Sequence, residues 1–133
     1  MPDFEGIVAD NKHALVRDLV CLIPQGAVAS YGMVASLCAG VTPRVVGFVM
    51  AGLPTGTDVP WHRVINASGG ISPRPGADLQ RVRLEDEGIT FTKSGKIAWS
   101  LYAWDGPDAD WITSRGLAEE EAFFLKADWP KRS

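Results

Sequence analysis

The chain has 133 residues, of which 46% are hydrophobic, and a formal net charge of −3 with a pI near 5.3. This length and apolar content suffice for one domain with one core and are too small for two. No apolar run reaches the roughly 18–20 residues of a membrane span, and the acidic N-terminus lacks the pattern of a secretory signal, so we expect a soluble, cytoplasmic protein with no membrane partner.

The net charge alone argues against nucleic acid as a partner. The charge is unevenly distributed, however, because residues 30–104 carry seven Lys and Arg against five Asp and Glu. The middle of the chain is therefore mildly basic and the acidic excess lies at the ends, which leaves DNA binding open.

Two cysteines are present, Cys21 and Cys38. They lack metal-ligand spacing and stand among helix-forming apolar residues. We therefore expect free, buried thiols, with no metal and no cofactor.

Apolar spacing and turn residues predict two helices in the first forty residues. The first covers about residues 10–22, where apolar side chains recur at helical spacing before the turn at residues 24–26. The second covers about residues 31–38, behind Ser30, whose side chain is a good N-cap, and Gly40 follows it.

A third helix is predicted from Thr42-Pro43, an N-cap followed by proline at the first helical position, and it continues to about Gly52. Two short helices joined by a tight turn that contains glycine indicate a helix-turn-helix. This pattern is weak on its own, because any small helical domain can present it.

Residues 54–76 are rich in Gly, Pro and Thr and predict a long ordered loop, which in a small domain is typical of a functional segment. A fourth helix is predicted for about residues 78–87. The segments on either side of Lys93-Ser94-Gly95 alternate apolar with polar residues, which predicts a β-hairpin. Helices followed by one short hairpin predict a mainly α, small winged helix-turn-helix domain over residues 1–105.

Residues 106–133 form an acidic, aromatic-containing C-terminal extension. It holds a short amphipathic stretch over residues 118–127. We expect its apolar side chains to cover part of the preceding domain, on which it packs or which it flanks: Leu117, Phe123, Phe124 and Trp129.

The stretch VPWHRVIN, residues 59–66, resembles a reactive motif without a reactive atom. It combines an imidazole and a guanidinium, His62 and Arg63, in a short apolar segment. Where a nucleophile would be expected there is Trp61, and an indole has no lone pair to donate. The residues alone therefore leave open what a segment of this kind does without a reactive atom.

Four segments in fixed order resemble the DNA-binding domain of the O6-alkylguanine-DNA alkyltransferases: IPQGAVASYGMVA (23–35), PRVVG (43–47), PWHRVINASG (60–69) and RLEDEGI (83–89). The signature of that family is Pro-Cys-His-Arg-Val, whose cysteine takes the alkyl group irreversibly. Trp61 occupies the cysteine position, which is the mark of the alkyltransferase-like proteins. These bind alkylated guanine in DNA and do not transfer the group. The resemblance covers roughly residues 10–104.

The resemblance implies three sets of site residues. Tyr31 would rotate the phosphate and help to evict the nucleotide, and Arg44 would enter the duplex as the finger that replaces the flipped base. The DNA-binding set is Ser30, Tyr31, Arg44 and Gly47; the lesion pocket is Tyr31, Pro60, Trp61, Val64 and Arg74; the vestigial relay is His62, Arg63 and Glu87.

Several of these residues keep a second interpretation. Arg44 can be an ordinary solvated helix arginine, and Arg74 either a surface arginine or a cation that lies over the flipped base. Gly47 fits close packing on DNA or on a neighbouring helix. His62 and Arg63 can persist as buried hydrogen-bond anchors of the loop.

The resemblance implies a monomer that is not an enzyme. It would recognise O6-alkylguanine in duplex DNA by minor-groove insertion and nucleotide flipping, and would flag it for nucleotide excision repair proteins. Two alternatives stay open: a winged-helix transcriptional regulator, which would prefer a particular undamaged sequence, and a DNA repair alkyltransferase with residual activity.

Overall fold

The structure, a computed structural model, describes residues 4–133, with side chains described from residue 11 onward. The prediction of a mainly α fold is confirmed for these residues. No helix in this described part is long and apolar enough to cross a membrane. The elements in chain order are α1 (Phe4–Val20), β1 (Ala29–Ser30), α2 (Tyr31–Ser36), α3 (Pro43–Ala51), a 3-10 helix (Trp61–Arg63), β2 (Val64–Ile65), α4 (Ala77–Asp86), α5 (Trp99–Tyr102), α6 (Ala109–Ser114) and α7 (Glu119–Leu125).

The predicted helix-turn-helix is formed by α2 and α3, which pack against each other and against α1. At the start of α2, the hydroxyl of Ser30 accepts a hydrogen bond from the backbone N–H of Met33 at 3.0 Å. At the start of α3, Thr42 does the same for Val45 at 3.3 Å. Between the helices Gly40 has a φ of +72°, a conformation that glycine adopts without a Cβ clash. The sequence signals for this motif therefore act as predicted.

The prediction of two buried thiols holds for Cys38 alone. Cys38 is buried, and burial raises its pKa to about 11. Cys21 is exposed, because it lies in the turn after α1 while Val20 and Ile23 take the inward positions. The helix itself begins at Phe4 and ends at Val20, earlier at both ends than predicted.

The sheet is a parallel pair of two-residue strands. Ala29 of β1 lies opposite Val64 of β2, and Ser30 lies opposite Ile65. All four residues are buried. Because β1 runs directly into α2 and β2 directly follows the 3-10 helix, this pair holds the start of α2 beside the segment that contains Trp61.

The predicted hairpin around residues 93–95 needs correction. A tight turn is present, since the N–H of Thr92 donates to the carbonyl of Lys96 at 2.8 Å, but the chain then forms α5 and not a second strand. Lys96 pairs with Gly70 in an isolated antiparallel bridge. The apolar alternation reflects the packing of Ile97 into a small core cluster with α4 rather than strand pairing.

Some apolar side chains of the C-terminal extension are buried and others are exposed. Trp129 is buried, its ring centroid lies 6.0 Å from that of Trp104, and Leu117 is half-buried. Phe123 and Phe124 of α7 are 67% and 74% exposed. The expectation that these two side chains cover the domain is therefore wrong.

Candidate functional site

The outer face of α3 carries a cation and an exposed ring. Arg44 is exposed in the first turn, and its guanidinium carbon lies 5.6 Å from the ring centroid of Phe48, which is 63% exposed. Positions 44, 47 and 48 share one helix face. A Cβ on Gly47 would meet no atom within 4 Å, so this glycine does not serve close packing on a neighbouring helix. The face is open to contact with another molecule.

The start of α2 places Tyr31 next to the loop that follows β2. Tyr31 is half-buried, and its hydroxyl accepts a hydrogen bond from Nη1 of Arg74 at 2.8 Å. Ser30 is only 5% exposed and its hydroxyl caps α2. Its burial argues against a direct side-chain contact with DNA, so the role of Ser30 is to set the position of Tyr31.

A buried glutamine connects Arg74 to the loop segment that contains Trp61. Nη2 of Arg74 donates to Oε1 of Gln80 at 3.1 Å. Nε2 of Gln80 donates to the carbonyl oxygens of Val64 at 2.8 Å and His62 at 3.2 Å. Gln80 is 1% exposed and shares a helix face with Leu84, a core residue. No sequence motif points to Gln80, whose only signal is that a polar residue stands four positions before a buried leucine on the same helix.

A cavity of about 290 Å³ lies between the end of α3, the loop that follows it, and α4. Trp61 and Arg74 line it, as do Leu79 and Arg83 of α4. None of its lining residues is acidic. A larger cleft of about 400 Å³ lies against the C-terminal extension, but it holds none of the predicted site residues.

Three of the predicted pocket residues do not line this cavity. Pro60 is buried at the start of the 3-10 helix, and Val64 is fully buried in β2 within the main core. Tyr31 is connected to the cavity only through its hydrogen bond to Arg74. For Pro60 and Val64 the prediction is corrected, because both side chains are buried in the protein interior, one just before the 3-10 helix and one just after it.

Arg83 is a second residue that the sequence analysis left without a role. Its guanidinium carbon lies 5.4 Å from the ring centroid of Trp61. Among the described residues it forms no ion pair. It stands at the first position of the quoted segment RLEDEGI, and that position was the available signal.

The predicted relay residues come together around one carboxylate. Nε2 of His62 lies 3.1 Å from Oε2 of Glu87, and Nε of Arg63 donates to Oε1 of Glu87 at 2.6 Å. Nη1 of Arg63 also donates to the carbonyl oxygen of Ile23 at 2.8 Å. Arg63 therefore anchors the loop to the end of α1 and to α4, which is the second interpretation that the sequence left open for it.

The electrostatics of this cluster favour a neutral imidazole beside a charged carboxylate. Burial lowers the pKa of His62, and the hydrogen bond with Glu87 offsets only part of that effect. Burial alone would raise the pKa of Glu87, but hydrogen bonds from Arg63 and His62 outweigh it and hold the pKa below its ordinary value of 4.5. A neutral His62 that donates from Nε2 keeps a lone pair on Nδ1, which is buried and has no partner among the described residues.

The arrangement is suited to hold a flat, polarisable ligand. An indole wall and a guanidinium can each lie against an aromatic face. No thiol lines the cavity, so the lone pair on Nδ1 of His62 has no S–H group there to deprotonate. The site can bind by stacking and hydrogen bonding, but its lining carries no group of the kind that alkyl transfer to sulfur requires.

Comparisons with known proteins place this architecture in a family. A family model described as 6-O-methylguanine DNA methyltransferase, DNA binding domain, matches residues 11–89. The chain is 44% identical over 99 residues to a DNA base-flipping protein of Escherichia coli, covering 72% of this chain and 76% of that protein. It is 41% identical over 103 residues to Alkyltransferase-like protein 1 of Schizosaccharomyces pombe, covering 71% of this chain and 95% of that protein.

A solved structure is also similar. The crystal structure of S. pombe Atl1 in complex with damaged DNA containing O6-carboxymethylguanine matches with a TM-score of 0.66 at 40% identity, covering 72% of this chain and 96% of that chain. The residues that the family model matches include the helix-turn-helix, the PWHRV segment and α4 with Glu87 at its end. The chain therefore belongs to the 6-O-methylguanine DNA methyltransferase family, through its DNA-binding domain.

Proposed function

We propose that this protein recognises O6-alkylguanine in duplex DNA, turns the damaged nucleotide out of the helix and holds it in the 290 Å³ cavity without removing the alkyl group. The observation that carries the proposal is Trp61, which stands at the acceptor-cysteine position of the motif and forms a wall of the cavity. The names of the relatives, a DNA base-flipping protein and an alkyltransferase-like protein, support the same function.

On the DNA side, α3 would lie against the duplex with Arg44 inserted from the minor groove. Arg44 and Met50, which lines the cavity, are separated by six positions of one helix, or about 9 Å along its axis. A base displaced by Arg44 would therefore leave the duplex close to the cavity. Flipping costs a few kcal/mol of unstacking, and a guanidinium in the gap restores part of it by stacking and hydrogen bonding.

On the pocket side, the flipped base would lie between Trp61 and Arg74. Hydrogen bonds to Tyr31 and Gln80 hold the guanidinium of Arg74 at 2.8 and 3.1 Å, so little side-chain entropy remains to be lost when it covers the base. Tyr31, at the start of α2, would contact the DNA backbone and at the same time orient Arg74. Through these two contacts Tyr31 would connect the DNA-binding surface of the protein to the pocket.

Retention of the alkyl group follows from the missing sulfur. His62 and Glu87 retain the geometry of a relay, but Trp61 gives it no proton to take. Neither Cys21 nor Cys38 lines the cavity, and burial raises the pKa of the Cys38 thiol to about 11. We therefore propose tight, product-like binding without turnover.

The bound complex would act as a signal to other proteins. Insertion from the minor groove kinks the duplex, and a kinked site is recognisable by proteins that never contact the lesion. We propose that a monomer in the cytoplasm presents this complex to nucleotide excision repair, on the strength of the family resemblance.

The proposal is tested with matched duplexes that contain either guanine or one O6-methylguanine. We expect at least tenfold tighter binding of the modified duplex, and mass analysis should find the methyl group still on the DNA. Stoichiometric demethylation would identify an alkyltransferase instead. Equal affinity for both duplexes, together with preference for one undamaged sequence, would identify a winged-helix regulator.

A further inference from the structure

The cavity beside Trp61 is positively charged on two sides. Arg74 and Arg83 both line it, and none of the lining residues is Asp or Glu. The guanidinium of Arg74 already bonds to Tyr31 and Gln80. That of Arg83 lies over the Trp61 ring at 5.4 Å, and the described residues offer it no ion pair. Arg83 therefore keeps its donors available for a ligand.

The neighbouring Arg81 is also exposed, but it has partners that Arg83 lacks. Arg81 is on the same helix, but Nε lies 3.4 Å from Oε1 of Glu85 and the guanidinium carbon lies 4.8 Å from the ring of Phe91. It lines a different surface depression from the one that contains Trp61. Two exposed arginines on α4 thus have different surroundings, and only Arg83 faces the cavity.

The position of Arg83 relative to a bound base follows from the motif and rests on the proposed function. In the alkyltransferases that the motif resembles, the cysteine at the position of Trp61 accepts the alkyl group, so its sulfur meets the alkyl carbon. A base held in this cavity would direct its O6 substituent toward Trp61, and therefore toward the cation above that ring. The end of the alkyl group, rather than the base itself, would meet Arg83.

We propose that Arg83 makes this pocket selective for O6-alkylguanines whose alkyl group ends in a carboxylate, over neutral groups of the same shape. A guanidinium can form two parallel, charge-assisted hydrogen bonds with a carboxylate, and it forms weaker ones with an amide. Because Arg83 is exposed, water screens part of the attraction, and we expect a preference of about tenfold.

The experiment compares four matched duplexes that contain guanine, O6-methylguanine, O6-carboxymethylguanine or its neutral amide, O6-carbamoylmethylguanine. The wild-type protein should bind the carboxymethyl duplex about tenfold more tightly than the carbamoylmethyl duplex. Arg83→Gln should abolish this preference, so that the affinities of the variant for the carboxymethyl and carbamoylmethyl duplexes agree within about twofold. Arg83→Lys should keep part of the preference, and the control Arg81→Gln should keep all of it.

The outcomes separate this inference from the proposed function. Equal affinity of the wild-type protein for the carboxymethyl and carbamoylmethyl duplexes, with O6-methylguanine still preferred to guanine, overturns the inference alone. Loss of any preference for O6-methylguanine over guanine overturns the proposed function. If Arg83→Gln weakens binding to all four duplexes by the same factor, Arg83 contacts a phosphate, and the inference is wrong. Melting curves of each variant, measured without DNA, exclude misfolding as the cause.

Discussion

Replacement of Gln80 tests whether its buried amide fixes Arg74 and the Trp61 segment relative to α4. In Gln80→Leu, a side chain of similar size removes the donor to the carbonyl oxygens of His62 and Val64 and the acceptor for Arg74. Each buried polar group left without a partner costs about 1–3 kcal/mol, and the gain from burying leucine offsets part of this cost. We expect the free energy of unfolding to fall by about 2–4 kcal/mol, which a typical domain survives.

The same substitution should weaken binding of O6-methylguanine duplex by about tenfold, because Arg74 loses one of its two anchors. Gln80→Glu separates the two roles of the amide. It keeps an acceptor for Arg74 but places a carboxylate against two carbonyl oxygens, so it should lower stability while retaining more lesion affinity than Gln80→Leu does.

Urea denaturation measures the first effect and titration of fluorescent duplex the second. Gln25→Leu is the matched control, since Gln25 is exposed in the turn after α1 and its replacement should change stability by no more than about 0.5 kcal/mol. If Gln80→Leu unfolds within 0.5 kcal/mol of the wild-type protein, the amide does not hold the loop and the connection between Arg74 and the Trp61 segment has been misjudged.

Three further predictions concern the DNA finger, the missing sulfur and pH. Arg44→Ala should weaken lesion binding by about 1–3 kcal/mol and leave the melting temperature unchanged; unchanged affinity would show that Arg44 is a solvated arginine. Trp61→Cys should show little transfer of label from methyl-labelled DNA, because the emptied volume lets the base settle out of line with sulfur; rapid, complete labelling would contradict this. Burial holds the pKa of His62 below its ordinary value of 6.5, so the unfolded chain takes up a proton first and stability should fall as pH drops below about 6.5. In His62→Gln the melting temperature should depend less on pH in that range. An unaltered dependence of the melting temperature on pH would show that His62 is not the group responsible.

Helix starts were predictable from the sequence where they depend on neighbouring residues only. Thr42 and the proline after it specified the first turn of α3, and Ser30 specified that of α2, because an N-cap hydrogen bond spans three residues. Strand pairing could not be predicted in this way, because it depends on residues far apart in the sequence. The pair that forms joins residues 29–30 to residues 64–65, and nothing in either dipeptide indicates its partner.

The hairpin prediction failed because an alternation of apolar and polar residues has two causes. It can arise from a strand, or from an irregular segment that rests on a core, and Ile97 belongs to the second case. In the same way, an amphipathic pattern in α7 predicted coverage of the domain, but the structure buries Ala122 and leaves Phe123 and Phe124 exposed. A periodic apolar pattern shows which face of a segment is apolar, but it does not show what packs against that face.

The family resemblance predicted Trp61, Arg74 and the cluster around Glu87 as site residues, and the structure places Trp61 and Arg74 at one cavity. The resemblance assigned no role to Gln80 or Arg83, which are polar residues on one helix with opposite environments. Gln80 is buried and Arg83 is exposed over an indole ring. Since both residue types are compatible with a solvated helix surface, only the packing of α4 against the loop distinguishes them.

The two-residue parallel pair of β1 and β2 has a consequence for the kinetics of capture. Tyr31 directly follows one strand and the segment that begins at Trp61 directly precedes the other, so the residue proposed to contact the DNA backbone and the proposed wall of the pocket are held in fixed register by the buried strand pair. On this proposal, the buried strand pair leaves little to rearrange between these two residues when DNA binds. We therefore expect the slow step of association to belong to the DNA, as the damaged base leaves the stack, and lesions that loosen their own base pair to be captured fastest.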